Sequence, residues 1–142
     1  MILKISKMSW EEALRSLQNF LPGVKSLGLD EISRAMEQQN CRPQWNSLAD
    51  WAELDDAALF RKAFGQNLIR ESDGGILIPD LCFWDKHLPF LVKGDFLEKF
   101  VETFLVQFGE AFFNGDTVIV FPSIKTLCLF HHNGIYLKYK FE

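Results

Sequence analysis

TVIVFPSIKTLCLFHHNGIYLKYKF, residues 117–141, reads as three short β-prone segments separated by turn residues. Thr117 to Phe121, Thr126 to His131 and Ile135 to Phe141 are rich in Val, Ile, Leu, Phe and Tyr, the side chains that fit a pleated surface. Pro122-Ser123-Ile124-Lys125 parts the first two segments. Asn133-Gly134 parts the last two and supplies the positive-φ residues that a type I′ hairpin turn needs. Ile135, Leu137, Tyr139 and Phe141 alternate with Tyr136, Lys138 and Lys140, so one face of the last strand meets the core and the other meets solvent. The expectation is a three-stranded antiparallel meander.

Working backwards, Phe96, Phe100, Phe104 and Phe108 recur every four residues, flanked by Leu97, Val101 and Leu105. That period belongs to an amphipathic helix, opened by Asp95 and Glu98, closed by Gly109, and packed across the meander. Leu81 to Phe90, with Pro89, reads as an irregular crossing loop. Leu68-Ile69-Arg70-Glu71 and Ile76-Leu77-Ile78 flank Ser72-Asp73-Gly74-Gly75, which reads as a small hairpin ended by Pro79. The rest is helical. Ser9 and Glu12 form a capping box ahead of Trp10, Ala13, Leu14, Leu17, Phe20 and Leu21, and Pro22-Gly23 stops the element. A second helix runs from Asp30 through Ile32, Ala35 and Met36 and fades before Pro43. Ser47 to Phe64 holds one or two more, with a fresh N-cap at Asp55 and a stop at Gly65. Residues 1–142 therefore read as a single α+β domain, helical in its first two-thirds.

Composition bounds the function. Fourteen Phe and four Trp in 142 residues supply more apolar area than a monomer leaves exposed, so most must be core. The formal charge is −4, and no clustered basic face suggests nucleic acid. Residues 73–116 carry eight acids and three bases, a local excess of five negative charges. Asp50, Glu53, Asp55 and Asp56 make a second acidic cluster. Such surfaces are ordinary solvated faces or steer a basic partner. Cys41, Cys82 and Cys128 are odd in number and lack CxxC spacing, which suggests reduced thiols in a cytoplasmic protein. The start, MILKISKMSWEE, is broken by Lys4 and Lys7 and does not resemble a signal peptide, and no apolar run is long enough to span a membrane.

Reactive chemistry is thinly signalled. His131-His132 attracts attention as a metal-binding pair, but neighbours on a strand point to opposite faces and share an ion only where the strand has ended. A zinc or iron site built from His87, Asp85 and either His131 or His132 is the alternative to a non-catalytic reading. A Cys–His nucleophile would need Cys82 or Cys128 beside a histidine, whereas both sit in apolar surroundings that suit a buried thiol. There is no GxSxG elbow and no phosphate loop, and Asn114-Gly115-Asp116 reads as a tight turn rather than a calcium loop. Asp80, Asp85 and His87 are the one polar patch set among aromatics. Trp45, Trp51 and Trp84 lie beside turn residues or acids, where an indole is often half-exposed and serves as an interface anchor.

FGEAFFNGD (108–116), running into the meander and His131-His132-Asn133-Gly134, resembles in layout the small bacterial toxin-immunity proteins of contact-dependent inhibition and type VI systems. The resemblance covers about the C-terminal third and carries over no functional residue. It implies a cytoplasmic, cofactor-free protein that binds one cognate toxin. The expected function is a non-catalytic protein-binding module whose partner, suited to this acidity, is a basic toxin occluded at its active site. The expected contact residues are Asp50, Trp51, Glu53, Asp55, Asp56, Trp84 and Asp85, with no nucleic acid, membrane or metal involved.

Overall fold

A computed structural model describes residues 5–65, 67–68, 73–85 and 87–142 of the chain. Among them are seven strands and five α-helices: β1 (Ile5–Lys7), α1 (Trp10–Gln18), α2 (Leu29–Gln38), β2 (Asn46–Ser47), α3 (Asp56–Phe64), β3 (Gly74–Ile78), α4 (Asp80–Trp84), β4 (Phe90–Lys93), α5 (Gly94–Phe108), β5 (Thr117–Phe121), β6 (Thr126–Phe130) and β7 (Ile135–Lys140). The strands form one sheet in the order β1-β4-β3-β5-β6-β7-β2, and every neighbouring pair is antiparallel.

The α+β class agrees with the sequence, but its distribution along the chain does not. Four strands precede residue 94 and are interspersed with helices, so the first two-thirds are not purely helical, and the antiparallel run β5-β6-β7 is only part of a seven-stranded sheet. β1 and β2 are too short to leave a period. The supposed loop from Leu81 to Phe90 holds α4 and the first residue of β4. The hairpin expected between Leu68 and Ile78 also differs: Leu68 is helical, Gly74 and Gly75 lie in β3 instead of a turn, and β3 pairs with β4 and β5. Residues 69–72 of that hairpin fall outside the described residues.

Every residue of β5 and β6 is buried, so both sheet faces are covered at the centre. Register assigns the faces. Thr117, Ile119 and Phe121 share one side with Phe130, Cys128 and Thr126, and Val118 and Val120 share the other with Leu129 and Leu127. On the first face Phe130 meets Phe113 at 5.1 Å, Tyr136 meets Phe64 of α3 at 5.9 Å, and Phe90 meets Phe100 of α5 at 5.1 Å. The Phe-striped helix therefore lies over β3 and β4, where Gly75 leaves room for Leu97 and Phe121, and not across the C-terminal meander. On the second face Phe20, just after α1, packs on Phe141 at 5.0 Å. The buried Ala13 and Leu17 of α1 and Ile32 and Met36 of α2 join the same core cluster.

Local chemistry explains the element ends. Ser9 Oγ accepts the Glu12 N–H at 3.1 Å and Asp55 Oδ1 accepts the Ala58 N–H at 2.8 Å, as the sequence predicts. Gly109 closes α5 in the left-handed region at φ +79°. The β6–β7 connection is not a two-residue type I′ turn. β6 ends at Phe130, Gly134 N–H donates to His131 C=O at 2.9 Å, and of the Asn-Gly pair only Gly134 has positive φ. His131 and His132 thus sit in the loop. No described helix is long and apolar enough to cross a membrane.

Candidate functional site

The last β5–β6 pair is Thr117 with Phe130, so Asp116 and His131 leave the sheet side by side. Asp116 Oδ1 accepts the His132 N–H at 3.0 Å and lies 2.8 Å from His132 Nδ1. A carboxylate can only accept, so His132 carries its proton on Nδ1. The two imidazoles lie against each other with ring centres 4.0 Å apart. Asn133 N–H donates to His131 Nδ1 at 3.1 Å, which keeps the His131 proton on Nε2. Asp116, His131 and His132 each offer one ligand atom within 4.8 Å of the others. The condition for two adjacent histidines to share an ion, a strand that has ended, is met.

Asp80 opens α4 directly after β3 and extends this polar group. Its carboxyl packs so closely on Gly115 that a β-carbon there would come within 2.6 Å of Asp80 Cγ, so a larger residue would have to push the carboxyl aside. Burial holds the Asp80 pKa above the usual carboxylate range, and the charge of Asp116 adds to the shift, while the Trp84 side chain and His132 oppose it. Glu110 behaves similarly. Burial raises its pKa first, then the charges of Asp80 and Asp85, against His87. Glu110 Oε1 is sealed from solvent without a hydrogen-bond partner among the described residues, and Oε2 accepts from Asn114 Nδ2 at 3.3 Å. Asp85 pairs with His87 at 3.4 Å. Beside these acids Trp84 is 59% exposed and Phe83, which packs on Trp10 at 5.5 Å, is 39% exposed. A cleft of about 400 Å³ separates Asp80, Phe83 and Asp116 from the start of α2 at Gly28 to Glu31.

The expected contact residues divide into two groups. Trp84 and Asp85 belong to the strip just described. Asp50, Trp51, Glu53, Asp55 and Asp56 lie elsewhere, and most are occupied within the fold. Asp50 pairs with Lys62 at 3.2 Å, and Trp51 is half-buried against Gly134 and the edge of Phe130. Asp55 caps α3, while Asp56 accepts the Phe112 and Phe113 N–H groups at 2.7 and 3.2 Å. Glu53 is exposed in a 3-10 turn.

The metal alternative was expected to join His87 and Asp85 to His131 or His132. The three-residue group is instead Asp116 with both His131 and His132. Cys82 is buried, its thiol pushed up to about 12 by desolvation, and its contact is the Leu88 carbonyl at 3.5 Å. Burial raises the Cys128 thiol as well. Neither is an activated nucleophile.

From sequence Asp116 reads only as part of a tight turn rather than a calcium loop, and Glu110 does not stand out. A signal for Asp116 existed: pairing Phe121 with Thr126 across Pro122–Lys125 forces Thr117 opposite Phe130, hence Asp116 beside His131. Glu110 had none, because its neighbours come from α4. No protein-family model matches the chain, and neither the curated proteins nor the solved structures contain a significant match.

Proposed function

We propose that this chain is a non-catalytic protein-binding module of the toxin-neutralising immunity kind, and that it docks through the acidic strip around Trp84. The observation that carries this reading is the 59% exposure of the Trp84 indole beside Asp80, with Asp85, Glu110 and Asp116 in the same electrostatic neighbourhood. An exposed tryptophan ringed by polar groups is the usual form of an interface anchor, since it combines large area with one polar atom. The surrounding carboxylates favour a basic partner and would raise its association rate. Inhibition then follows from covering the partner's active site, with no bond made or broken. The acids at Asp55 and Asp56 already accept backbone N–H groups and are left out of the proposed contact surface; Asp50 and Glu53 form a separate arm of the test.

The partner is first captured from the native host on immobilised protein and then titrated against variants. Trp84→Ala is expected to weaken binding ~30- to 1,000-fold, the range of a hot-spot truncation of about 2–4 kcal/mol. Asp80→Lys with Asp85→Lys should slow association and weaken its salt dependence. Full affinity in both variants, with loss only on Asp50→Lys and Glu53→Lys, would move the surface to the other cluster. Full affinity in all of them would reject the reading.

A further inference from the structure

We infer that Asp116, His131 and His132 form a binding site for one divalent transition-metal ion of the zinc type. This inference goes beyond the protein-binding reading, with which it shares only the Asp116 carboxylate. Two imidazole nitrogens and one carboxylate oxygen are the borderline donors zinc prefers, and three protein ligands leave a fourth position for water or an incoming group.

The sheet builds the site. Asp116 and His131 flank the terminal Thr117–Phe130 pair, so their backbones are fixed side by side by the β5–β6 ladder. The turn closed by Gly134 N–H to His131 C=O then places His132 over Asp116. Ligand atoms around a tetrahedral zinc with bonds near 2.0–2.1 Å lie about 3.4 Å apart. The three donors here already fall within 4.8 Å of one another, and His132 Nδ1 and Asp116 Oδ1 within 2.8 Å. The ion enters between those two atoms in place of their shared proton, and His132 moves that proton to Nε2. His131 gives up its contact with Asn133 N–H whichever nitrogen it uses, since a metal on either one is incompatible with that donor at Nδ1. Both exchanged hydrogen bonds lie in an exposed loop, so the hydrophobic core is untouched.

The electrostatic setting agrees. Asp80 feels the negative charge of Asp116, and Glu110 that of Asp80, so the site sits at one end of a row of mutually repelling carboxylates. Among the described residues the ion pairs offer Asp116 only His132, with no lysine or arginine. A cation at this point relieves repulsion that the side chains leave in place. Asp116 also lines the cleft of about 400 Å³, which leaves the ion open to exchange with solvent or with a group from outside.

The test uses the full chain, stripped with chelator and titrated with zinc chloride by calorimetry. One equivalent should bind. His131→Ala and His132→Ala should each weaken binding at least tenfold, and His87→Ala should leave it unchanged. Cobalt(II) loaded in place of zinc should give tetrahedral d–d bands without a thiolate charge-transfer band, which separates this site from one using Cys41. In the unmodified protein, zinc should shift the imidazole proton resonances of His131 and His132 and leave those of His87 in place, a readout that does not depend on any variant folding. No saturable binding, equal loss in His87→Ala, or a thiolate band would each overturn the assignment.

Discussion

Gly134 carries two constraints at once. Its φ of +84° lies in the left-handed region, and its α-carbon faces the Trp51 indole so closely that a β-carbon would overlap the ring. Gly134→Ala should therefore lower stability by about 2–3 kcal/mol through combined backbone strain and displacement of Trp51, seen as a shift of the urea midpoint. Asp80 and Glu110 give a second prediction at this scale. Burial first, and acidic neighbours second, raise both pKa values in the folded state, so the native protein holds these protons more tightly than the unfolded chain. Their contribution to stability falls as pH rises from the ordinary carboxylate range, about pH 4, through the raised values, and it returns on acidification through the same window. Asp80→Asn combined with Glu110→Gln should flatten the dependence of the melting temperature on pH in that window. It should also raise the melting temperature at pH 7 slightly, because both groups keep solvent contact and screening holds the gain under about 1 kcal/mol.

Among elements, α5 contributes most to the first sheet face. Phe104 is fully buried, stacks on Phe108 at 4.5 Å and meets Phe112 at 5.3 Å. Phe104→Ala should cost about 3–5 kcal/mol in a denaturation series, the range for removing a ring from a close-packed core. The tie between α3 and the segment after α5 is polar instead. Asp56→Ala leaves the Phe112 and Phe113 N–H groups without acceptors and should cost about 1–3 kcal/mol, with faster amide exchange at those two positions. The helix was legible because a period of four over four phenylalanines survives in any context, as were α1 and α3 from Ser9 and Asp55. The partner of α5 was not legible. Val92 and Phe90 form its floor together with Leu77, and nothing in FLVK (90–93) distinguishes a strand from a loop end until β1 and β3 flank it. β3 was recognised as a strand but given a neighbour in sequence, because local turn chemistry at Gly74-Gly75 outweighed long-range pairing that the chain does not display. The site suffered in the same way. His131-His132 stood out, yet its meaning depended on one hydrogen bond, Gly134 to His131, that ends β6 one residue earlier than composition suggests.

In the whole molecule these parts make a sheet buried on both faces at its centre and short at its edges, with three residues in β1 and two in β2. Among the described residues β2 pairs only with Ile135 and Tyr136 of β7, so the rest of β7 has no strand neighbour on its outer side, and cooperativity must come from β3, β5 and β6. The three cysteines report on this gradient. Cys128 lies at the middle of β6, fully buried, with its pKa raised by desolvation against the opposing charge of Lys138. Cys82 is a buried residue of α4, while Cys41 is half-buried near Tyr139, just past α2. A thiol reagent reacts with thiolate, and a buried thiol must be both exposed and ionised before it can react. Under native conditions at pH 8, Cys41 should therefore label first. Cys82 should follow when α4 opens locally. Cys128 should label only at the rate set by global unfolding, so its free energy of opening should equal that from denaturant unfolding, while that of Cys82 should be smaller. Mass spectrometry of peptides labelled over time distinguishes the three. Equal protection of Cys82 and Cys128 would mean that α4, and with it the Trp84 surface, unfolds only with the sheet.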